Sequence, residues 1–257
     1  MGSKAAMPLR SFFEAVTDLT LFSAQFIKAA VSPPYEFSEI LNQSYLIGYK
    51  SLPLVAVTSL IMGLVLTIQS RPTLATFGAE AWLPAMVSIS IIREIGPVIT
   101  ALICAGKIGS GMGAEISSMK VTEQIDAMEV SGINPFKYIV VTRVLAAIFM
   151  IPLLVILGDG VSIIGAYIGV NLTGHVTPHL FFSQVFEKLM FADLFPAVLK
   201  TFFFGFAIGI IGCFQGYHAE GGTQGVGKAA NAAVVLASLF VFLIDGIVVQ
   251  ISSGMGK

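Results

Sequence analysis

Five stretches of this chain are each long enough and apolar enough to cross a lipid bilayer, and they constrain its fold more than any single motif. A membrane-spanning helix needs about 20 mostly apolar residues, and residues 51–69, 84–106, 139–170, 194–216 and 229–251 meet that requirement. The third is long enough to tilt, or to break near Gly158-Asp159-Gly160. Composition agrees. Charged residues make up only 11% of the chain and hydrophobic ones 56%, with a mean hydropathy of +0.89, whereas a soluble domain carries about a quarter charged residues. There is too little charge to coat a globule in water. The net charge of −1 leaves no basic excess for nucleic acid. Cys104 and Cys213 lie far apart inside apolar runs and read as small buried hydrophobes, not as a disulfide or a metal pair. No short apolar core with a small-residue cleavage site opens the sequence, so no cleaved signal peptide is expected. Without linkers, charge runs or internal repeats, residues 1–257 read as a single membrane domain.

A different kind of helix precedes the first span. Over residues 9–31, Leu9, Phe12, Phe13, Val16, Leu19, Phe22, Phe26 and Ile27 recur at steps of three and four, while Arg10, Glu14, Asp18, Gln25 and Lys28 take other faces. That pattern predicts a helix lying in the membrane interface. Pro33-Pro34 ends it, and residues 36–50 form a second, shorter amphipathic lead-in. Lysine and arginine then set the orientation. With the N-terminus cytoplasmic, Lys4, Arg10, Lys28, Lys50, Lys107, Lys120, Lys137, Arg143 and Lys228 lie inside, and only Arg71, Lys188 and Lys257 outside. Loops 107–138 and 217–228 are then cytoplasmic, and 70–83 and 171–193 external.

This topology decides a second question. From Gly222 to Lys228 the chain fits G-x-x-x-x-G-K, the pattern of a phosphate-binding loop. Such a loop joins a buried strand to a helix, and its lysine precedes a Ser or Thr that holds magnesium. Here an apolar span precedes it and Ala229 follows the lysine. The expected structure is a flexible cytoplasmic turn that binds no ATP.

The cytoplasmic stretch GAEISSMKVTEQIDAMEVSGINPFKY, residues 113–138, is the most polar between spans. Thr122 suits an N-cap, with Glu123 and Asp126 in the first turn. Val121, Ile125 and Met128 make an apolar stripe flanked by Glu123, Asp126 and Glu129, and Gly132 with Pro135 closes the helix. Acids in its first turn disfavour anionic lipid, so a groove on a partner protein is the expected seat.

Residues 93–146, REIGPVITALICAGKIGSGMGAEISSMKVTEQIDAMEVSGINPFKYIVVTRVLA, resemble the signature region of MlaE-type ABC-transporter permeases, a family that includes the YrbE proteins and plastid lipid permeases. The run combines R-E-x-G-P, A-G-[RK]-x-G-[SA] and M-[KR]-x-T-E-Q-[IL]. The final family motif appears as FQGYHAEGGTQGVGKAAN, which absorbs the glycine string. The resemblance implies an all-α membrane fold with an N-terminal interfacial helix, five spans and a cytoplasmic coupling helix. It implies a homodimer in a bacterial inner membrane, carrying two cytoplasmic ABC ATPase subunits, an MCE-domain protein on the far side and a small STAS-domain subunit in some systems. ATP and magnesium would belong to the ATPase, with no cofactor in this chain. The coupling helix would be residues 117–131, with Met119, Val121, Glu123, Ile125, Asp126, Met128 and Glu129 at the ATPase. The cargo it implies is lipid, phospholipid in many relatives, moved to maintain outer-membrane asymmetry.

Arg93, Glu94, Lys200 and Asp245 fall within spans, where an unpaired charge costs several kcal/mol. Adjacent on a helix, Arg93 and Glu94 point about 100° apart, so Glu94 is expected to pair with Lys200 and with Asp245 nearby. Such a network either pins helices together or shifts between transport states. Pro97 frees a backbone carbonyl and can kink the second span. An ion-coupled carrier could use the same charges, but the paired halves of such carriers are not visible. A non-transporting scaffold is the other alternative. His175 and His179 flank Pro178 with no third metal ligand near them. Beyond Arg71-Pro72 the chain stays apolar, with Trp82 as an aromatic anchor, and reads as a segment dipping back at the interface. Leu66, Ile68, Gln69, Leu74, Phe77 and Ile95 are the expected lining of an outward-facing lipid cavity.

Overall fold

The computed structural model describes residues 6–255, and no strand occurs among them. Lys4 and Lys257 lie outside the described residues, as do the side chains of Leu9, Arg10 and Phe12. Five helical stretches are long and apolar enough to cross a membrane: Phe37–Thr76, Glu80–Val121, Phe136–Leu172, Asp193–Tyr217 and Gly222–Ser252.

Helix α1 (Ala6–Val31) carries two apolar faces where one stripe was expected. Phe22 and Phe26 are buried against the bundle, while Phe13, Val16 and Ile27 are exposed on another side. At 100° per residue these two sets fall on different faces: one packs on protein, and the other suits lipid. The Phe22 ring meets Phe136 and Phe214 edge-on, at centroid distances of 5.1 and 5.4 Å, which fastens α1 to the start of the third span and the end of the fourth. Helix α2 (Phe37–Gly48) follows and lies against the third span through Gln43 and Ile47.

Helix α3 (Leu52–Thr76) pairs closely with the third span, α8 (Thr142–Thr173). A Cβ at Gly63 would lie 1.8 Å from the Ser162 carbonyl oxygen, and one at Gly165 would lie 2.2 Å from that of Leu60. Only hydrogen fits at either crossing, the small-residue packing typical of helices in lipid. Ser162 Oγ also donates to the Ser59 carbonyl at 2.9 Å. The expected break at Gly158-Asp159-Gly160 is absent, and α8 is continuous there. A Cβ at Gly158 would crowd Ser59 Oγ at 2.9 Å, so this glycine serves close approach. Unbroken helix also keeps every backbone group paired where water is lacking.

The second span is the irregular one. It is assembled from α4 (Leu83–Ser90), a π-turn at Ile91–Ile95, α5 (Gly96–Cys104), a second π-turn at Ala105–Gly109, and α6 (Ser110–Val121). A short helix, α7 (Gln124–Val130), completes the loop between the second and third spans, and a π-turn at Phe136–Val141 leads into α8. At the opposite end of the bundle α9 (Pro178–Lys188) docks Phe181 and Val185 onto Leu83, Val87, Ile91, Ala166 and Val170. Helices α10 (Phe191–Tyr217) and α11 (Gly222–Met255) supply the last two spans.

Two expected loops change character. Residues 70–83 do not dip back: α3 runs through Pro72 to Thr76, then turns at Gly78 (φ +65°) into a 3₁₀ turn at Glu80–Trp82. Pro72 sits in the last helical turn, where its missing N–H costs one bond without ending the helix. Residues 222–228 are not a flexible turn but the start of α11, so the glycine string is helical and forms no phosphate cradle. The reversal is confined to the residues before it, with Gly221 and Gly222 at positive φ. Cys104 and Cys213 are free thiols in the core, as their settings predicted.

The main core fully encloses Ile116, Ile139, Ala147, Ile151, Phe204 and Ile208. Burial falls from 67% of the third span to 28% and 17% of the first and fifth. Those two outer helices leave broad apolar faces uncovered by this chain.

Candidate functional site

The intramembrane charges do converge, and the first π-turn is the reason. Its widened turn gives the Gly96 N–H to the Ile91 carbonyl, five residues back. Pro97 has no N–H to offer, so the Arg93 carbonyl is left without a helical partner. Lys200 of α10 takes that place: its Nζ donates to the Arg93 carbonyl at 2.7 Å, to Glu94 Oε2 at 2.8 Å and to Asp245 Oδ1 of α11 at 2.8 Å. An ammonium has three N–H donors, and all three are used. Only 2% of the Lys200 side chain is exposed. The pairing of Glu94 with Lys200, and the place of Asp245 beside them, match the expectation from sequence.

Two further carboxyl groups were not anticipated as members. Arg93 turns away from Glu94 and forms an ion pair with Asp193, at the start of α10. The other Asp193 oxygen accepts the Met190 N–H at 3.2 Å, so one carboxylate both caps α10 and neutralises Arg93. The signal was available in sequence as an acid beside a span boundary, but the span was read as beginning at residue 194. Asp159 of α8 is the second. Its Oδ1 is buried, accepts no hydrogen bond, and lies 1.8 Å from where a Cβ on Gly96 would be. Gly96 therefore makes room for this carboxyl against the second span. Two cationic side chains thus sit among four carboxyl groups, contributed by the second, third, fourth and fifth spans.

The expected lipid-lining residues do not share one surface of the chain. Leu66 and Leu74 turn inward onto the smaller apolar cluster around Leu83 and Phe181. Ile68, Gln69 and Phe77 are exposed, and Ile95 is half-buried beside Glu94. The division follows from the continuous α3, which places residues three or four apart on one face and the others elsewhere.

The segment between the second and third spans departs from expectation. Thr122 is not an N-cap: it ends α6 and donates its hydroxyl back to the Ser118 carbonyl at 2.9 Å. Glu123 then takes a left-handed conformation, φ +58°, which turns the chain sharply into α7 and carries some backbone strain. Residues 117–121, with Met119 and Val121, therefore belong to α6, and only Gln124–Val130 of the expected 117–131 helix lies in α7. Two of the three stripe residues face inward: Ile125 is buried in the core and Met128 packs against that core, as does Met119. Glu123, Asp126 and Glu129 are exposed, beside Val121 and Val130. The C-terminal end matches expectation. Gly132 (φ +80°) gives its N–H to the Glu129 carbonyl, and Ile133 gives its own to Met128, both at 3.0 Å; together they form a Schellman closure.

Comparison with known proteins agrees with this architecture. A family model described as Permease MlaE matches residues 40–251. A probable ABC transporter permease protein of Rickettsia typhi is 38% identical over 93% of each chain. One from Synechocystis is 35% identical, over 79% of this chain and 77% of its own. The intermembrane phospholipid transport system permease protein MlaE of Haemophilus influenzae is 34% identical, over 86% of this chain and 85% of its own.

Proposed function

This chain belongs to the MlaE permease family and is a permease subunit of an ABC transporter; we propose that its cargo is phospholipid and that a separate ATPase chain drives it through α7. The phospholipid reading is supported by the similarity to the Haemophilus intermembrane phospholipid transport permease and by the large apolar faces of the first and fifth spans. In this reading two copies pair, and exposed Ile68, Gln69 and Phe77 face a shared apolar cavity with Ile95, while Leu66 and Leu74 support it from behind. An MCE-domain protein would exchange lipid at the external side of an inner membrane, with a STAS-domain subunit as an optional addition, and the traffic would serve outer-membrane asymmetry. The N-terminus would face the cytoplasm.

One observation carries the mechanism. The second span, from Leu83 to Val121, is a single helical rod with two π-turns. At one end it meets α7, which is anchored in the core by Ile125. At the other it carries Arg93 and Glu94 within the ion network. A push on α7 as the ATPase pair closes would travel along this rod to the π-turn, where Lys200 ties it to α10 and α11. ATP and magnesium act on the ATPase; this chain supplies the pathway and the lever.

Purification in mild detergent from native membranes, with mass spectrometry of all co-eluting proteins and lipids, tests the reading. An ATPase bearing a complete phosphate-binding loop, in equal stoichiometry and with bound phospholipid, is expected. Recovery of the chain alone under every mild condition would overturn it. Glu129→Lys is expected to lower ATPase coupling while leaving the permease folded.

A further inference from the structure

Asp159 belongs to the ion network by position, yet its buried Oδ1 accepts no hydrogen bond and lies in the space that Gly96 leaves on α5. A buried carboxyl oxygen without a donor is costly to hold, so it calls for a partner that this arrangement does not supply. The charged group that acts on it is Lys200, whose ammonium is fully taken by the Arg93 carbonyl, Glu94 and Asp245. We propose that Asp159 is the second seat of Lys200, receiving its ammonium in the transport state in which the second span has moved off α10. The inference rests on the ATPase-driven reading above and gives the ion network its other position.

Packing decides which charges travel together. A Cβ on Gly205 of α10 would lie 2.6 Å from the Ala147 carbonyl oxygen of α8, and one on Gly209 would lie 3.1 Å from the Val144 Cα. Backbone stands against backbone there, so α8 and α10 move as a unit, with Asp159 on one and Lys200 on the other. Glu94 and the Arg93 carbonyl sit instead on the second span, inside the π-turn at Ile91–Ile95. A π-turn holds one residue more than an α-turn. Passing that residue along the helix rotates one flank by about 100° and shifts it by about 1.5 Å. Either motion takes Glu94 and the Arg93 carbonyl off the ammonium. Gly96 directly follows the turn, so the same motion uncovers the Asp159 carboxyl.

The charges then favour one exchange. Glu94 is half exposed and Lys200 is buried, so it is Lys200 that needs a new partner when the two separate. Asp193 is committed to Arg93 and to the Met190 N–H. Asp159 is already in place on the α8–α10 unit. Taking it in exchange for Glu94 leaves Lys200 with two carboxylates in both positions, counting Asp245. Charge pairing is therefore balanced between the two states, as a switch that must return in every cycle requires.

The test uses the full-length permease and the ATPase that co-purifies with it in phospholipid vesicles, either free of nucleotide or trapped with ATP and vanadate. Dicyclohexylcarbodiimide, an apolar reagent that joins an amine to a carboxyl in contact with it, reads the partner of Lys200 by peptide mass spectrometry. Lys200 joined to Glu94 or Asp245 is expected without nucleotide, and Lys200 joined to Asp159 in the trapped complex. Asp159→Asn should leave the resting permease as resistant to thermal unfolding as wild type, because no bond to Oδ1 is lost. ATP-driven transfer of a fluorescent phosphatidylethanolamine should fall roughly tenfold in that variant. Asp159→Val should act likewise, and the crosslink in the unaltered protein decides the matter if either variant fails to fold. Wild type that transfers lipid while Lys200 keeps Glu94 in the trapped complex would overturn this proposal alone, as would full transfer by folded Asp159→Asn. A resting permease weakened by Asp159→Asn as much as by Lys200→Ala would make Asp159 a structural member and overturn it too. Wild type that moves no lipid with ATP would overturn the ATPase-driven reading and this proposal together.

Discussion

Lys137 and Lys200 both end on backbone carbonyls, one at the rim of the bundle and one within its spans. Lys137 Nζ donates to the Ser32 and Pro33 carbonyls at 2.8 and 2.9 Å, closing the C-terminal end of α1. Lys120 does the same for α10 through the Tyr217 carbonyl at 2.9 Å, and Lys107 reaches the Lys50 carbonyl beyond α2. Each is a cation at the negative end of a helix dipole, and water can supply any donor or countercharge the protein omits. Lys200 has no such help. Every one of its donors is matched, and two of its three acceptors are carboxylates. The same side chain therefore acts as a local cap at the rim and as a joint between three spans in the interior. Lys107, Lys120 and Lys137, which the charge bias of the loops rests on, are also lysines that finish helix ends.

Removing Lys200 should break this contrast most sharply. Lys200→Ala is expected to cost about 3–5 kcal/mol, because it leaves carboxylates buried without a cation; folded yield and thermal unfolding in detergent read it. Stability within about 1 kcal/mol of wild type would mean that the network is not desolvated. Next comes the triple change Lys200→Met, Glu94→Gln and Asp245→Asn, which removes the charges together. It should recover most of that loss, as buried ion pairs often tolerate apolar replacement. Transport by the recovered protein then separates the two roles: lost lipid transfer in a stable permease marks a network that moves, and retained transfer marks a structural pin.

Asp193→Asn sharpens the comparison at an intermediate position. The amide oxygen can still accept the Met190 N–H but no longer neutralises Arg93, whose side chain is half exposed. A loss near 1 kcal/mol is expected after solvent screening; a loss as large as that of Lys200→Ala would place this pair in the dry interior too. Lys137→Ala should matter least, below about 1 kcal/mol. Its effect should appear as faster proteolysis near Pro33-Pro34, with global unfolding unchanged.

Much of the architecture was legible because it rests on short-range rules. Apolar run length marked the five spans, and Pro33-Pro34 and Gly132 marked helix ends through their own dihedral restrictions. Lys200 and its carboxylate partners were legible for a related reason: charges in an apolar run must find one another. Harder to see were features whose cause lies on another helix. Gly158 reads along the chain as a place where the third span could break, yet it is where α3 comes close. Apolar residues of α1 looked like one stripe, yet they divide between protein and lipid. Glu123 gave no sign of a positive φ, since the reversal between α6 and α7 is imposed by Ile125 reaching the core.

The sequence by itself determined that this chain crosses a membrane as helices and to which family it belongs. Those properties follow from hydropathy and motif spacing, both readable along one dimension. Tertiary structure decided the rest: that Asp193 takes Arg93, that Asp159 comes to lie against Gly96, and that α7 is short and turned inward. Each depends on which faces of distant helices meet, and helices tens of residues apart are brought together only when small residues, freed carbonyls and buried charges are all satisfied at once.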